Sequence, residues 1–303
     1  MGKTFYHIYH SPYDFFAEAK KVNKETFSNK SYAYEIVKDC EESKKGEFSG
    51  DWKDVCRKFD EAEFDEEASL TDQTIDEINT VDFNEIRWKF EQRLCEGDGV
   101  DIERYLGGAE KCWVGCRRLP KHRQAIRIYI NFGGNCFRTS KELAIPGAMG
   151  VTFAEIMESM GIATEIWAVH YTVHMDEQWN NYVEMIKLKA QNEYCDFGLV
   201  NFMLGNDGVF RNGVFRVNCL HAKESGKCDV TYGLGQSQSI DLKKLGLTEE
   251  EQSTAIIVPQ VYSKESAIKW LQNVLSDQQK LHDLTYTGEE EYRRRTEISE
   301  ENA

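Results

Sequence analysis

The sequence predicts an α/β fold, a mostly parallel sheet flanked by helices behind a helical amino-terminal region, from three features. Ile126, Ile128 and Ile130 alternate with Arg127 and Tyr129 before Asn131-Phe132-Gly133-Gly134-Asn135, the pattern of a strand entering a turn. Pro146 and Gly147 then precede apolar positions at helical spacing (Ala148, Val151, Phe153, Ile156, Met157, Met160), with Gly161 as the stop. Thr164 to Tyr171 is β-branched and aromatic, a second strand. Strand, helix and strand in this order imply a right-handed crossover joining parallel strands.

The elements before this unit read as helices. Ser11-Pro12-Tyr13-Asp14 combines a cap, a first-turn proline and an acidic residue, and opens a helix over Phe15 to Val22. Tyr32, Ile36, Val37 and Cys40 share one face of a helix running to Lys45. Ser49 or Asp51 caps a third that carries Trp52, Val55 and Phe59, and a fourth is expected from Phe83 to Cys95. From Val100 strands alternate with helices: a short strand at Val100 to Tyr105, then Cys112 to Leu119 leading into the central unit. Tyr182 to Leu188 is a further strand with imperfect alternation. Asp196 caps a helix through Leu204, Val214 to Leu220 fits either a strand or a buried helix, Ala255 to Pro259 is a buried strand, and Ser263 to Leu275 is a helix. The expected division is a helical, acidic region over 1–99, an α/β domain over 100–280 and a charged tail over 281–303.

Composition narrows the function classes. The 303 residues are 41% hydrophobic, enough for one large domain or two modest ones. There are 52 acidic and 37 basic residues, a formal charge of −15, and phosphate binding needs Lys and Arg at the contact face. No direct nucleic-acid contact is expected. No apolar run approaches the ~20 residues of a membrane helix, and the opening MGKTFYHIYHSPYDFF lacks the charged-then-apolar order of a secretion signal. Nine cysteines without such a signal read as reduced thiols of a cytosol.

Val100 to Glu110 (VDIERYLGGAE), the strand at Ile126, the run GAMGVTFAEIMESMGIATEIWAV and the segment DFGLVNFMLGNDGVFRNGVFRV together resemble a group of mostly uncharacterised phage-encoded proteins. Their core is similar to a von Willebrand A-type domain, a Rossmann-like arrangement, and the resemblance covers roughly residues 100 to 275. In that family the first strand ends in Asp-x-Ser-x-Ser, which holds magnesium. Here Asn131, Gly133 and Asn135 occupy those places, so the carboxylate and both hydroxyls that a hard cation needs are missing. The resemblance therefore implies a scaffold that kept the sheet and dropped the ion.

Other candidate chemistry is sparse. Cys112 and Cys116, with His122 nearby and Cys219, His221 and Cys228 later, offer four sulfur ligands in principle, but the spacing matches no zinc ribbon. The chain lacks a Gly-x-Ser-x-Gly elbow and a glycine-rich phosphate loop. His170, His174 and Asp176 follow the second central strand, at the end where α/β sheets place ligands. No cofactor, metal or catalytic residue is expected.

The strongest signal outside the core is an acidic block. Between Asp60 and Ile86 lie eleven carboxylates and no Lys or Arg, and without them the chain would carry only −4. Such a block reads either as a solvated face or as a docking surface for a basic partner. In the docking reading the interface residues are Phe59, Asp60, Glu61, Glu63, Phe64, Asp65, Glu66, Glu67, Asp72, Asp76 and Glu77, the rings fixing a complex that the charges steer together. The expected function is a phage-encoded, non-enzymatic inhibitor, similar to anti-defence proteins that act on the Gabija system. Such a protein binds a bacterial nuclease–helicase defence complex in the host cytoplasm as a homo-oligomer and blocks its DNA binding or cleavage. The alternatives are a metal- or nucleotide-dependent hydrolase working at Gly133 and His170, and a virion or assembly protein.

Overall fold

The computed structural model describes residues 3–42, 51–64, 69, 73–75, 93–94, 99–100, 113–114, 125–133, 138–159, 162–173, 181–191, 193, 195–224 and 239–277. Its centre is a five-stranded sheet in the order β1-β7-β6-β5-β8, from Thr4–Tyr9 (β1), Ile126–Asn131 (β5), Thr164–Val173 (β6), Asn181–Lys189 (β7) and Ala255–Val258 (β8). β5 runs parallel to both β6 and β8, and β1 runs parallel to β7. Only the β6–β7 pair is antiparallel. The expected mostly parallel α/β sheet is therefore present.

The amino-terminal region, expected to be mainly helical, opens with a strand. Phe5, His7 and Tyr9 turn inward while Tyr6 and Ile8 face outward, a period of two that builds β1 into the same sheet as β5 to β8. Helices follow it: Pro12–Ala19 (α1), Tyr32–Glu42 (α2) and Trp52–Glu61 (α3). Ser11 Oγ accepts from Asp14 N at 3.2 Å and Asp51 Oδ1 from Lys53 N at 3.0 Å, the caps that the sequence signals. Of the helix expected from Phe83 to Cys95, Arg93–Leu94 is instead a short strand (β2). It and Gly99–Val100 (β3) flank Trp113–Val114 (β4) in a small antiparallel sheet that holds both in extended form.

The central helix, Ser140–Ser159 (α4), starts six residues before Pro146, not after it. Thr139 and Glu142 set the start: Glu142 N donates to Thr139 Oγ1 at 3.3 Å and Thr139 N donates to Glu142 Oε2 at 2.9 Å. Pro146 lies inside, where it removes one helical hydrogen bond. The helix is buried on nearly all sides from Leu143 to Ala154, wedged between the sheet and its neighbours Phe197–Gly205 (α5) and Lys264–Ser276 (α8). Between α5 and Phe215–Glu224 (α6) the chain makes one π-helical segment, Val209–Val214. Val214 to Leu220, which the sequence leaves open between strand and helix, is helical. The short helix Glu249–Ser253 (α7) precedes β8.

One face of the sheet packs under these helices through Ile126, Ile128, Ile130, Ala168, Tyr182 and Ile186. The other carries Tyr129, Trp167, Val169, Tyr171, Val183 and Met185, met by Ile240 and Leu245. No helix among the described residues is long and apolar enough to cross a membrane.

At Gly150 helix α4 lies close against the sheet. A methyl group there would lie 2.8 Å from Ile130 Cγ1 and 3.7 Å from Val258 Cγ2. Gly150→Ala is expected to lower stability by a net ~1–2 kcal/mol, because overpacking outweighs the roughly 1 kcal/mol gained in helix propensity. Ile130→Val in the same chain, by clipping the obstructing end, should restore part of the denaturation midpoint; an unchanged midpoint for Gly150→Ala alone would refute the close approach.

Candidate functional site: a buried imidazole–carboxylate cluster

The most unusual chemistry lies in a polar row across three strands. Glu184 sits mid-strand on β7, with His7 of β1 and His170 of β6 as its register partners. All three face the helix-covered side of the sheet, where their neighbours are apolar. Glu184 is 1% exposed and neither of its carboxylate oxygens has a hydrogen-bond partner. A bare carboxylate in such surroundings is strongly unfavourable unless a cation lies close by.

Helix α6 brings that cation. His221 Nδ1 lies 3.6 Å from Glu184 Oε1, and His221 Nε2 lies 2.9 Å from Glu18 Oε1 on α1. The Tyr9 hydroxyl lies 3.4 Å from the same Nε2. The His7 ring stacks on His221 with centroids 3.3 Å apart and planes 5° apart. Burial on its own would push the His221 imidazole down, yet Glu184 and Glu18 outweigh it and the pKa is raised. His7 goes the other way. Burial lowers it first and the neighbouring His221 charge lowers it again, against weaker pulls from Glu184 and Glu18. Burial, then Glu18 and Glu184, push the Tyr9 phenol far up, so it stays neutral. The two directions set His221 apart as the imidazole that holds a proton more readily and His7, stacked on its face, as the one that gives it up. His7 is only partly buried and can accept a proton; His221 can hold one.

The carboxyl end of β5 is arranged differently. Gly133 adopts φ +148°, and a side chain there would meet the Phe210 ring at 3.2 Å and His170 Nδ1 at 3.3 Å. His170 is 2% exposed, bonded through Nδ1 to the Phe132 carbonyl at 3.2 Å and through Nε2 to the Thr172 hydroxyl, and edge-on to Phe210. It is a packed strand histidine with both ring nitrogens engaged. Asn131 is buried, and an amide with a glycine two residues on does not supply the charge a magnesium ion needs. The donor set on the described residues does not fit that ion. Asn135, His174 and Asp176 lie outside the described residues.

The acidic block divides in two. Phe59 stacks on Phe16 at 3.9 Å, and Phe64 packs 4.9 Å from Phe202; both are buried. These rings belong to the core and are not exposed anchors, a correction that follows from the apolar face of α3 turning towards α1 and α5. The charges stay outside. Asp60 pairs with Lys20 at 2.5 Å, while Arg57 gathers Glu63 (2.6 Å), Glu61 (2.7 Å) and Asp54 (2.9 Å). Asp65, Glu66, Glu67, Asp72, Asp76 and Glu77 lie outside the described residues. Of the sulfur ligands considered for zinc, Cys219 is buried, with a thiol pushed well up by burial; Cys112, Cys116, Cys228 and His122 lie outside the described residues. Among the described residues no group of three His, Cys, Asp or Glu side chains is placed to hold a metal ion.

The fold and this cluster define an α/β domain with a charge centre buried between its sheet and its helices. The model of a family catalogued as a domain of unknown function (DUF7192) matches residues 3–282, nearly the whole chain, and the protein belongs to that family. No curated protein and no solved structure matches it.

The two histidines make opposite contributions to stability against pH. His7, lowered below the ordinary 6.5, contributes stability above that pH and loses it as the pH falls through its folded value. His221, raised above 6.5, contributes below it and loses that stability as the pH rises through its folded value. The pair's contribution should peak near pH 6.5. Denaturation midpoints across pH should lose the acid limb in His7→Gln and the alkaline limb in His221→Gln. His221→Gln should also cost ~3–5 kcal/mol by stranding Glu184, with much of it regained on adding Glu184→Gln. Parallel pH curves for wild type and both single variants would contradict the assignment.

Proposed function

We propose that this protein acts by binding another protein and not by turnover, as a phage-encoded inhibitor of a bacterial nuclease–helicase defence complex of the Gabija kind. On this reading the core is a von Willebrand A-like scaffold that has lost its ion, and the site of action is the host cytoplasm. The observation that supports it is the carboxyl end of β5, where Phe210 and His170 close on Gly133 and Asn131 stands where von Willebrand A-type domains carry an acid. Recognition then falls to the surface, and the charges on α3 suit a partner whose own surface is built to grip phosphate. A hydrolase reading has one observation in its favour, the His7 ring stacked on the His221 ring between Glu184 and Glu18, and it would move the chemistry there from Gly133 and His170.

Mixing the purified chain with the purified defence complex tests this. Co-migration and loss of nuclease activity are expected, with binding that weakens as salt rises. The combined change Asp60→Lys, Glu61→Lys and Glu63→Lys should weaken it by about tenfold or more through the association rate. Absence of co-migration together with undiminished cleavage would end the proposal, and conversion of a substrate that His7→Gln abolishes would favour the hydrolase.

A further inference from the structure

We infer that the outer edge of β1 is a self-association surface at which a second copy of this chain adds its own β1, antiparallel, to make one continuous sheet. β1 is an end strand of the five-stranded sheet, and among the described residues nothing pairs with its outer side. The backbone parity is fixed by one bond: Asn181 N donates to the Lys3 carbonyl at 2.9 Å. In a parallel ladder alternate residues serve alternate neighbours, so Phe5, His7 and Tyr9 turn to β7 with Lys3, while Thr4, Tyr6 and Ile8 offer their N–H and C=O outward.

These three residues also carry the outward side chains. Tyr6 is 40% and Ile8 50% exposed, two of the four large apolar side chains exposed among the described residues. A two-fold axis at Tyr6 sets it opposite the partner's Tyr6 and sets Thr4 opposite the partner's Ile8. Each of these is a pair that can exchange both N–H···O bonds, so the parity that the backbone requires and the side-chain match coincide.

Charge identifies the occupant. The chain carries −15, yet residues 1–13 contain no acid, only Lys3, His7 and His10 besides neutral residues. This is the edge at which two copies of a strongly acidic protein meet with least repulsion. The opposite edge, β8, has four residues, acids at Glu249, Glu250 and Glu251 before it and Pro259 after it. β1 has none of the devices that normally blunt an edge, for no lysine, proline or bulge interrupts Thr4 to Tyr9.

Sedimentation of the full chain at rising concentration is the test, with two variants at an exposed position. The wild type should approach twice its 35.0 kDa mass. Tyr6→Lys, which sets two ammonium groups face to face, should keep its circular dichroism and dissociate at least tenfold more readily. Tyr6→Cys should cross-link to a dimer on mild oxidation while the wild-type chain, with its native cysteines, does not. A monomer at every concentration would overturn the inference, as would a dimer indifferent to Tyr6→Lys. Slow hydrogen exchange at the Thr4, Tyr6 and Ile8 amides of a monomer would also overturn it, because the chain would then be covering its own edge.

Discussion

A carboxylate in the middle of a sheet strand, covered by helices, is the constraint that organises one half of this protein. The Glu184 oxygens have no hydrogen-bond partner there, and the apolar residues on either side of it in β7 provide no donor. Its compensation comes from far away in sequence. His221 arrives on α6, His7 on β1, and Glu18 on α1 balances the far side of His221. Four residues spread from position 7 to position 221 are thereby forced into one place. The cluster ties the amino-terminal strand, α1 and α6 together over the sheet, beside the ladder that pairs β1 with β7.

The other half of the sheet is held by shape. Helix α4 is buried from Leu143 to Ala154 and packs closely on β5 through Gly150, while Glu158 near its end pairs with the buried Lys189 of β7 at 2.6 Å. The loop after β5 closes in the same way, through Phe132, Phe210 and His170 around Gly133. The end of a parallel sheet that commonly holds ligands is in this protein a packed corner. Titratable groups gather beneath α1 and α6, and exposed carboxylates gather on α3. The exposed carboxylates lie outside the packed scaffold, and the buried cluster joins the first strand to α1 and α6.

Much of this was legible in the sequence, and the failures have physical causes. Ile126 to Ile130, Thr164 to Tyr171 and the Asp196 and Ser263 caps declare themselves because pattern and capping chemistry are local. Pro146 misleads as a boundary, since a reciprocal Thr139–Glu142 cap starts the helix earlier and packing on all sides outweighs the missing bond. β1 left only a compositional trace in TFYHIY, whose β-branched and aromatic residues suit a strand; the period of two appears in its burial and not in its sequence. Glu184 left a trace, too: it is the residue that spoils the alternation of YVEMIKL. His221, by contrast, stands in the sequence beside Cys219 and suggests a metal ligand. Only the long-range meeting of β1, β7 and α6 shows that its partners are carboxylates. The rings of the acidic block misled for the same reason, because nothing local distinguishes Phe59 on a core face from Phe59 on a docking face.

The claim at the centre is a division of charge, with the proton held on His221 and kept off His7. Resolving the two imidazoles by nitrogen-15 NMR across the neutral range, with assignments from His7→Gln and His221→Gln, tests it most directly. The predicted spectrum shows His221 doubly protonated at a pH where ordinary histidines have lost their charge, and His7 neutral at a pH where they have gained it. Two imidazoles titrating together at the ordinary value of 6.5 would contradict the account.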